Sequence, residues 1–261
     1  MIMESVELVK KGVRHTFIWG IIEYFRAYRV TKKWTMHDQE MLEFYSRFIS
    51  AGDICFDIGA NIGNRTKIFL KLGAKVVAVE PQEKCLRVIK AVYGRNKCLT
   101  VIQKVLGASE GEAELMISSA NTISSLSQDW VEAVKKSGRF TDYSWEKKQI
   151  VNMTTLDSLI TTYGIPSFIK IDVEGFEYQV IQGLSQPVRI ISLEFTPEFI
   201  ESIFKCIDYL QSIGNIRLNY SVGEIGQLAL DKWVNAQEIQ GILTSYKEDI
   251  RLFGDVYAQL V

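Results

Sequence analysis

Two carboxylates and two glycines hold the most specific chemistry in this chain. The segment Asp53-Ile54-Cys55-Phe56-Asp57-Ile58-Gly59-Ala60-Asn61-Ile62-Gly63-Asn64 reads as an apolar strand, then a turn that opens a helix, and Glu80 closes a second apolar run, Lys75–Glu80. Open parallel sheets bind ligands outside the carboxyl ends of their strands, so both acids belong to one crevice. Gly59 permits a tight turn and a close backbone approach to a ligand, and Gly63 lets the next helix pack close to the strand. Ala60 and Asn61 form the turn between them. A dinucleotide site would show GxGxxG with a pyrophosphate on the helix amino end. Here the spacing is GxxxG, preceded by Asp57. A carboxylate repels a pyrophosphate but attracts an ammonium and a sulfonium, which points to S-adenosyl-L-methionine. Glu80 is then placed to accept hydrogen bonds from the ribose hydroxyls. Either half alone also reads as a plain tight turn or a strand-end acid; the two in register carry the assignment.

A second group of acids lies in Phe168-Ile169-Lys170-Ile171-Asp172-Val173-Glu174-Gly175-Phe176-Glu177, and Glu194 ends Ile191-Ser192-Leu193-Glu194. With the glycine turn and Met153-Thr154-Thr155-Leu156-Asp157-Ser158-Leu159, these segments resemble the FkbM family of class I methyltransferases. That family's pattern runs FDIGANIG, an acid after the second strand, TLDSL, IKIDVEG.E, and a later E closing a strand. The resemblance covers about Gly52 to Glu194 and is specific in its combination. It implies an α/β, Rossmann-like class I methyltransferase fold: a mostly parallel seven-stranded sheet with helices on both faces, an antiparallel edge, and an N-terminal helical extension. It also implies methyl transfer from S-adenosyl-L-methionine, usually to a hydroxyl oxygen of a sugar, polyketide or other secondary metabolite.

Methyl transfer is an in-line displacement, so positioning supplies much of the catalysis. A hydroxyl acceptor must also lose its proton, which calls for a base. The candidate catalytic residues are Asp172, Glu174 and Glu194; Asp172 is equally a candidate ligand of the methionyl group. Competing structural readings stand beside them. Glu174 and Glu177 could complement a helix dipole, and Glu194 could cap the helix expected near Pro197. Lys170 either neutralises the acids or lies on the opposite sheet face. Ser124 and Ser125, after Asn121, read first as loop material. No metal is assigned; in a metal-assisted version Asp172 and Glu194 would be the oxygen ligands of Mg²⁺.

These side chains need an alternating framework. Strands are expected at Ile54–Ile58, Lys75–Glu80, Leu99–Val105, Ala113–Ile117, Gln149–Met153, Phe168–Asp172, Arg189–Phe195, Asn215–Val222 and Val256–Leu260. Helices are expected at Glu4 to about Tyr28, Asp38–Phe48, Asn61–Leu72, Gln82–Tyr93, Thr155–Tyr163, Gly175–Gln182, Pro197 to about Ser212, and Ala236–Tyr246. Residues 118–148, with Trp130, Phe140, Tyr143 and Trp145 among mixed charges, read as an insertion or lid. The domain assignment is a helical extension over 1–50 and a methyltransferase domain over 51–261.

Composition narrows the partners. At 47% hydrophobic and 23% charged residues the 261-residue chain is an ordinary globular sequence, and its formal net charge of −1 gives no bulk attraction to nucleic acid. Acids within the aromatic insertion also weaken a nucleic-acid surface. Four cysteines without a CxxC pair suggest reduced thiols in a cytoplasmic protein. The apolar stretch Thr16–Tyr28 is broken by Glu23 and Arg26 and is too short to span a bilayer. Packing on the core is the expectation for it, with membrane-surface docking or a homodimer contact as alternatives. His15 and His37 lie away from the site in sequence. The reading is O-methylation of a small-molecule or glycan hydroxyl; the alternatives are an RNA or protein methyltransferase and a non-catalytic cofactor-binding module.

Overall fold

Predominantly apolar runs form the strands that must be buried on both faces. The computed structural model describes residues 17–260, with side chains from Ile21 onward except that of Asn121. In chain order the first half holds α1 (Phe17–Lys32), α2 (Met36–Tyr45), β1 (Ile54–Ile58), α3 (Asn64–Lys71), β2 (Lys75–Val79), α4 (Glu83–Tyr93), β3 (Leu99–Ile102), β4 (Val105–Leu106) and β5 (Gly111–Ile117). Then come α5 (Gln128–Ser137), β6 (Lys147–Thr154), α6 (Leu156–Tyr163), β7 (Phe168–Ile171), α7 (Glu177–Ile181), β8 (Ile190–Phe195), α8 (Ile200–Ile213), β9 (Ile216–Val222), α9 (Ala236–Thr244) and β10 (Gly254–Leu260). The expected helix start at Glu4, together with Lys10, Lys11, Arg14 and His15, lies outside the described residues.

The main sheet has seven strands in the order β3-β2-β1-β7-β8-β10-β9. All neighbours are parallel except β10, which runs antiparallel to both β8 and β9. This is the Rossmann-like methyltransferase architecture with its antiparallel edge. The order reverses between β1 and β7, which places the crevice beside the β1 turn.

Side-chain alternation divides the core. Phe56, Ile58, Ile169, Ile171, Ile191 and Leu193 pack with Leu156, Val180, Ile203, Ile207 and Ile239 of α6 to α9 on one face. Cys55, Val76, Phe168, Ile190 and Tyr257 meet Met41, Phe44 and Tyr45 of α2 and Ile68 and Phe69 of α3 on the other. Helix α2 therefore supplies core residues to the sheet. It begins at Met36, two residues before the sequence expectation. Thr35 Oγ1 accepts the Asp38 N–H at 3.2 Å while Asp38 Oδ2 accepts the Thr35 N–H at 2.7 Å, a reciprocal cap. Lys67 of α3 then ties to Asp38 at 2.6 Å.

The sequence expectation fails in one region. The single strand expected at Leu99–Val105 is two strands in two sheets. After Ile102 the polar pair Gln103-Lys104 ends the apolar run, and β4 joins a separate three-stranded sheet, β4-β6-β5. There β5 and β6 pair antiparallel from Gly111↔Met153 to Ile117↔Lys147. Of the expected insertion, residues 118–146 are thus the long connection of this pair and carry α5, while Lys147 and Lys148 already belong to β6. Ile123, Trp130, Val131 and Val134 form its own small core, against which Phe199 packs. Arg139 grips Glu198 with two hydrogen bonds, Nε to Oε1 at 2.5 Å and Nη2 to Oε2 at 2.9 Å.

Phe44 is 1% exposed and meets Tyr45, Phe48 and Tyr257 edge-on. Phe44→Ala should therefore cost about 3–5 kcal/mol, read as a fall in urea midpoint at unchanged m-value. A loss below about 1 kcal/mol would show that α2 does not anchor the sheet.

Candidate functional site

Register decides which polar groups meet. Asp57 lies opposite Lys170, Lys170 opposite Ser192, and Glu194 opposite Asp255, so all five share the α2–α3 face of the sheet. Asp172 follows two residues after Lys170 at the strand end. Lys170 is 2% exposed, and its Nζ lies 2.9 Å from Asp255 Oδ1 and 3.3 Å from Asp172 Oδ2. Burial works against its charge, but Asp172, Asp255 and Glu194 outweigh that and hold it well above the ordinary lysine range. Lys170 therefore neutralises the acids. Asp255 was absent from the sequence-derived set because the strand was expected to begin one residue later, at Val256.

The cofactor half is built from backbone. The Gly59 and Ala60 N–H groups both donate to Val79 O, at 2.9 and 3.0 Å, clamping the β1 turn to β2. The Asn61 N–H, on a residue at φ 49°, donates to Glu80 Oε2 at 2.9 Å, and the Gln82 N–H to Oε1 at 2.8 Å. Glu80 is 3% exposed; burial raises it to about 7 despite these two donors. Burial also raises Asp57, which accepts the Thr66 hydroxyl at 2.5 Å.

The two glycines are each pressed by a neighbour that the sequence did not name. At Gly59 (φ +81°) an added Cβ would lie 1.8 Å from Asp172 O, so the turn approaches the β7 loop closely. At Gly63 (φ +90°) the nearest outside atoms belong to Ile89 of α4, at 3.3 Å. Gly63 is thus a helix-packing residue.

Asp57, Gly59, Ala60, Asn61, Glu80, Asp172, Glu174 and Glu194 line one cleft. Of the sequence-derived site residues, only Gly63 is outside that lining. The cleft also takes in residues the motifs did not single out: Arg65, Gln82, Lys104, Leu106, Leu115, Leu126 and Glu224. Arg65 Nη2 contacts Glu224 Oε1 at 2.6 Å across the cleft lining. Arg65 follows the glycine turn in sequence, a signal that could have found it; Glu224 lies 159 residues away and had none.

Asp172, Glu174 and Glu194 each offer a carboxylate oxygen, all within 4.8 Å of one another. Acids this close raise one another's proton affinity. Burial, then the Asp172 charge, push Glu174 and Glu194 well above the usual carboxylate range. Burial also acts to raise Asp172, but Lys170, a hydrogen bond with Glu194 and Arg65 reverse this and lower it. Asp172 is the ionised member of the group. Glu194 is bonded to Asp172, and no side chain caps the turn Pro197–Phe199.

Glu174 is held by backbone strain. Its φ is 54°, its carbonyl accepts the Ser125 hydroxyl at 2.5 Å, and Gly175 at φ +88° sits on the Trp130 side chain. These conformations delay α7 from the expected Gly175 to Glu177. Glu177 has the structural role: its Oε1 accepts the Val173 and Gly175 N–H groups, each at 3.2 Å. Ser125 likewise shapes the loop, while Ser124 lines the cleft.

The fold and cleft have a match among known proteins. The Methyltransferase FkbM domain model matches residues 57–220, and the chain belongs to that family. It is a methyltransferase whose cofactor is S-adenosyl-L-methionine. Similar solved structures include a precorrin-6y C5,15-methyltransferase from Geobacter metallireducens (10% identity, 85% of this chain and 87% of that one, TM-score 0.44). A putative O-methyltransferase from Klebsiella pneumoniae is also similar (9% identity, 98% and 94%, TM-score 0.44). So is a putative RNA methyltransferase from Pyrococcus horikoshii (12% identity, 86% and 83%, TM-score 0.41). With TM-scores below 0.5, these likenesses add nothing to the strand order and the family match. No curated protein matches the chain. Among the described residues no helix is long and apolar enough to cross a membrane.

The buried acids set a pH dependence. Glu80 and Glu177 are each raised from 4.5 to about 7, by burial above all. Between those values the folded chain keeps protons that the unfolded chain has lost, so stability falls as pH rises through this window. Each group should contribute on the order of 3 kcal/mol to that fall. Glu177→Gln should flatten urea midpoints measured between the two values; an unchanged slope would mean that Glu177 is ionised throughout.

Proposed function

We propose that the protein methylates a hydroxyl oxygen of a small molecule, sugar or glycan, and that the Asp172–Glu174–Glu194 group receives the hydroxyl proton. The observation that carries this reading is the meeting of those three acids with the cofactor half in one cleft. The residues present fit the cofactor's chemistry. A carboxylate has about four lone-pair sites. Glu80 uses two of them on the Asn61 and Gln82 N–H groups, leaving two directed to ribose hydroxyls. Leu106, Leu115 and Leu126 offer an apolar wall for adenine. Asp57 and Asp172 suit the ammonium of the methionyl end, and Arg65 suits its carboxylate. Ala60 and Asn61 line the turn side. The cofactor, when bound, supplies an electrophilic methyl group; the protein's own part is to orient the acceptor, exclude water and take up a proton.

Glu174 and Glu194 suit proton uptake because their raised affinities bring them closer to a hydroxyl than an ordinary carboxylate would be. The sequence Asp172-Val173-Glu174-Gly175 stands where a base- or amide-methylating enzyme resembles (D/N)PPY, which favours the hydroxyl acceptor. Transfer of label from S-adenosyl-L-methionine to a fractionated metabolite and glycan extract tests the reading. Label appearing in RNA or protein, or in nothing, would overturn it.

The cofactor contacts have their own tests. Glu80→Ala should weaken S-adenosyl-L-methionine binding about 10- to 100-fold, the worth of one or two charge-assisted hydrogen bonds, in a calorimetric titration. Arg65→Ala should weaken it about tenfold, whereas Glu224→Gln, which frees Arg65 from its present partner, should strengthen it. Unchanged affinity in Arg65→Ala would remove Arg65 from the methionyl end.

A further inference from the structure

We propose that α1 is an interfacial helix that lies on an anionic lipid bilayer. Its inner side rests on α4: Thr31 is buried, and Tyr93 Oη donates to the Thr31 carbonyl at 2.9 Å. Its outer side exposes Ile21, Ile22, Phe25 and Val30, from 41% to 56%. Arg26, Arg29 and Lys32 are exposed on the same helix, and Lys33 just after it. At about 100° per residue, these apolar and basic side chains all fall within roughly half the circumference, interleaved. A surface helix ordinarily turns its apolar stripe inward and mixed charges outward. Here the outward half is apolar and basic together.

Charge selects the occupant. Glu23 is the only acid from Phe17 to Lys33, and it acts on Lys84 of α4. The preceding sequence adds Lys10, Lys11 and Arg14 against Glu4 and Glu7. A second copy seated on this face by two-fold symmetry would bring like charges together. A nucleic acid would pair with the cations but leave Ile21, Ile22 and Phe25 in water. An anionic bilayer satisfies both sets: apolar side chains enter the acyl boundary while Lys and Arg stems snorkel to the headgroups.

The helix is also placed to matter. Its end lies beside Tyr93, the last residue of α4, and its early turns lie near Lys84 at the start of α4. Helix α4 follows Gln82, which lines the cleft. The apolar turns of α1 therefore stand at the end of the sheet where the cleft opens.

Flotation of the full chain tests this with two vesicle types, phosphatidylcholine alone and phosphatidylcholine mixed with phosphatidylglycerol. The protein should float with the anionic vesicles only, and added salt should release it. The pairs I22S/F25S and R26E/R29E should each lower partitioning about tenfold or more, with unfolding midpoints and S-adenosyl-L-methionine affinity unchanged. Because the readout is partitioning, it stands or falls separately from the acceptor. Absence of flotation, equal flotation of the variants, or a dimer that I22S/F25S dissociates would overturn the proposal; so would retention of polyuridylate as tight as that of the vesicles.

Discussion

A lysine ammonium buried at the carboxyl end of the central strand β7 is the constraint on which the site depends. An unpaired charge there would cost several kcal/mol after relaxation. Lys170 avoids this only because β10 brings Asp255 beside it and β7 turns Asp172 back over it. The antiparallel edge of the sheet is therefore more than a border: it supplies the counter-charge for the centre. The same cation separates the acids electrically. Asp172, nearest to it, is held ionised, whereas Glu174 and Glu194 face that carboxylate across a short gap and have their proton affinity raised. One buried positive charge thus produces two kinds of acid from chemically similar side chains.

The two halves of the cleft are supported differently. The cofactor half is fixed by main-chain donors on Glu80 and Val79, so it tolerates change in side chains that do not point inward. The acid half hangs on side chains and on a loop with two successive left-handed residues, Glu174 and Gly175. That loop is propped by Ser125 and Trp130. The small sheet and α5 form the wall that keeps Glu174 in a conformation it would not adopt alone.

Much of this was readable beforehand, for identifiable reasons. Strands β1, β2, β7 and β8 are mostly apolar runs with an acid at or near the carboxyl end, and that pattern marks both a buried parallel strand and its functional end. The acids were found because they sit next to such runs. Asp255 escaped because it lies near the start of its strand instead of ending one. Arg65 and Glu224 meet only through folding, and no local pattern announces a pair so far apart. The second sheet was missed because β4 is two residues long, too short for alternation to show. The glycines were located from the sequence, but the neighbours that press on them were not, since a sequence shows that backbone freedom is needed, not which neighbour demands it.

That neighbour has a consequence. With no side chain at Gly59, the β1 turn lies directly against the Asp172 carbonyl, and the same turn is clamped to β2 through Val79. Dense contact of this kind transmits displacement instead of absorbing it. The two loops consequently form a single mechanical part: a shift imposed on the β1 turn is delivered directly to the loop that carries the ionised acid.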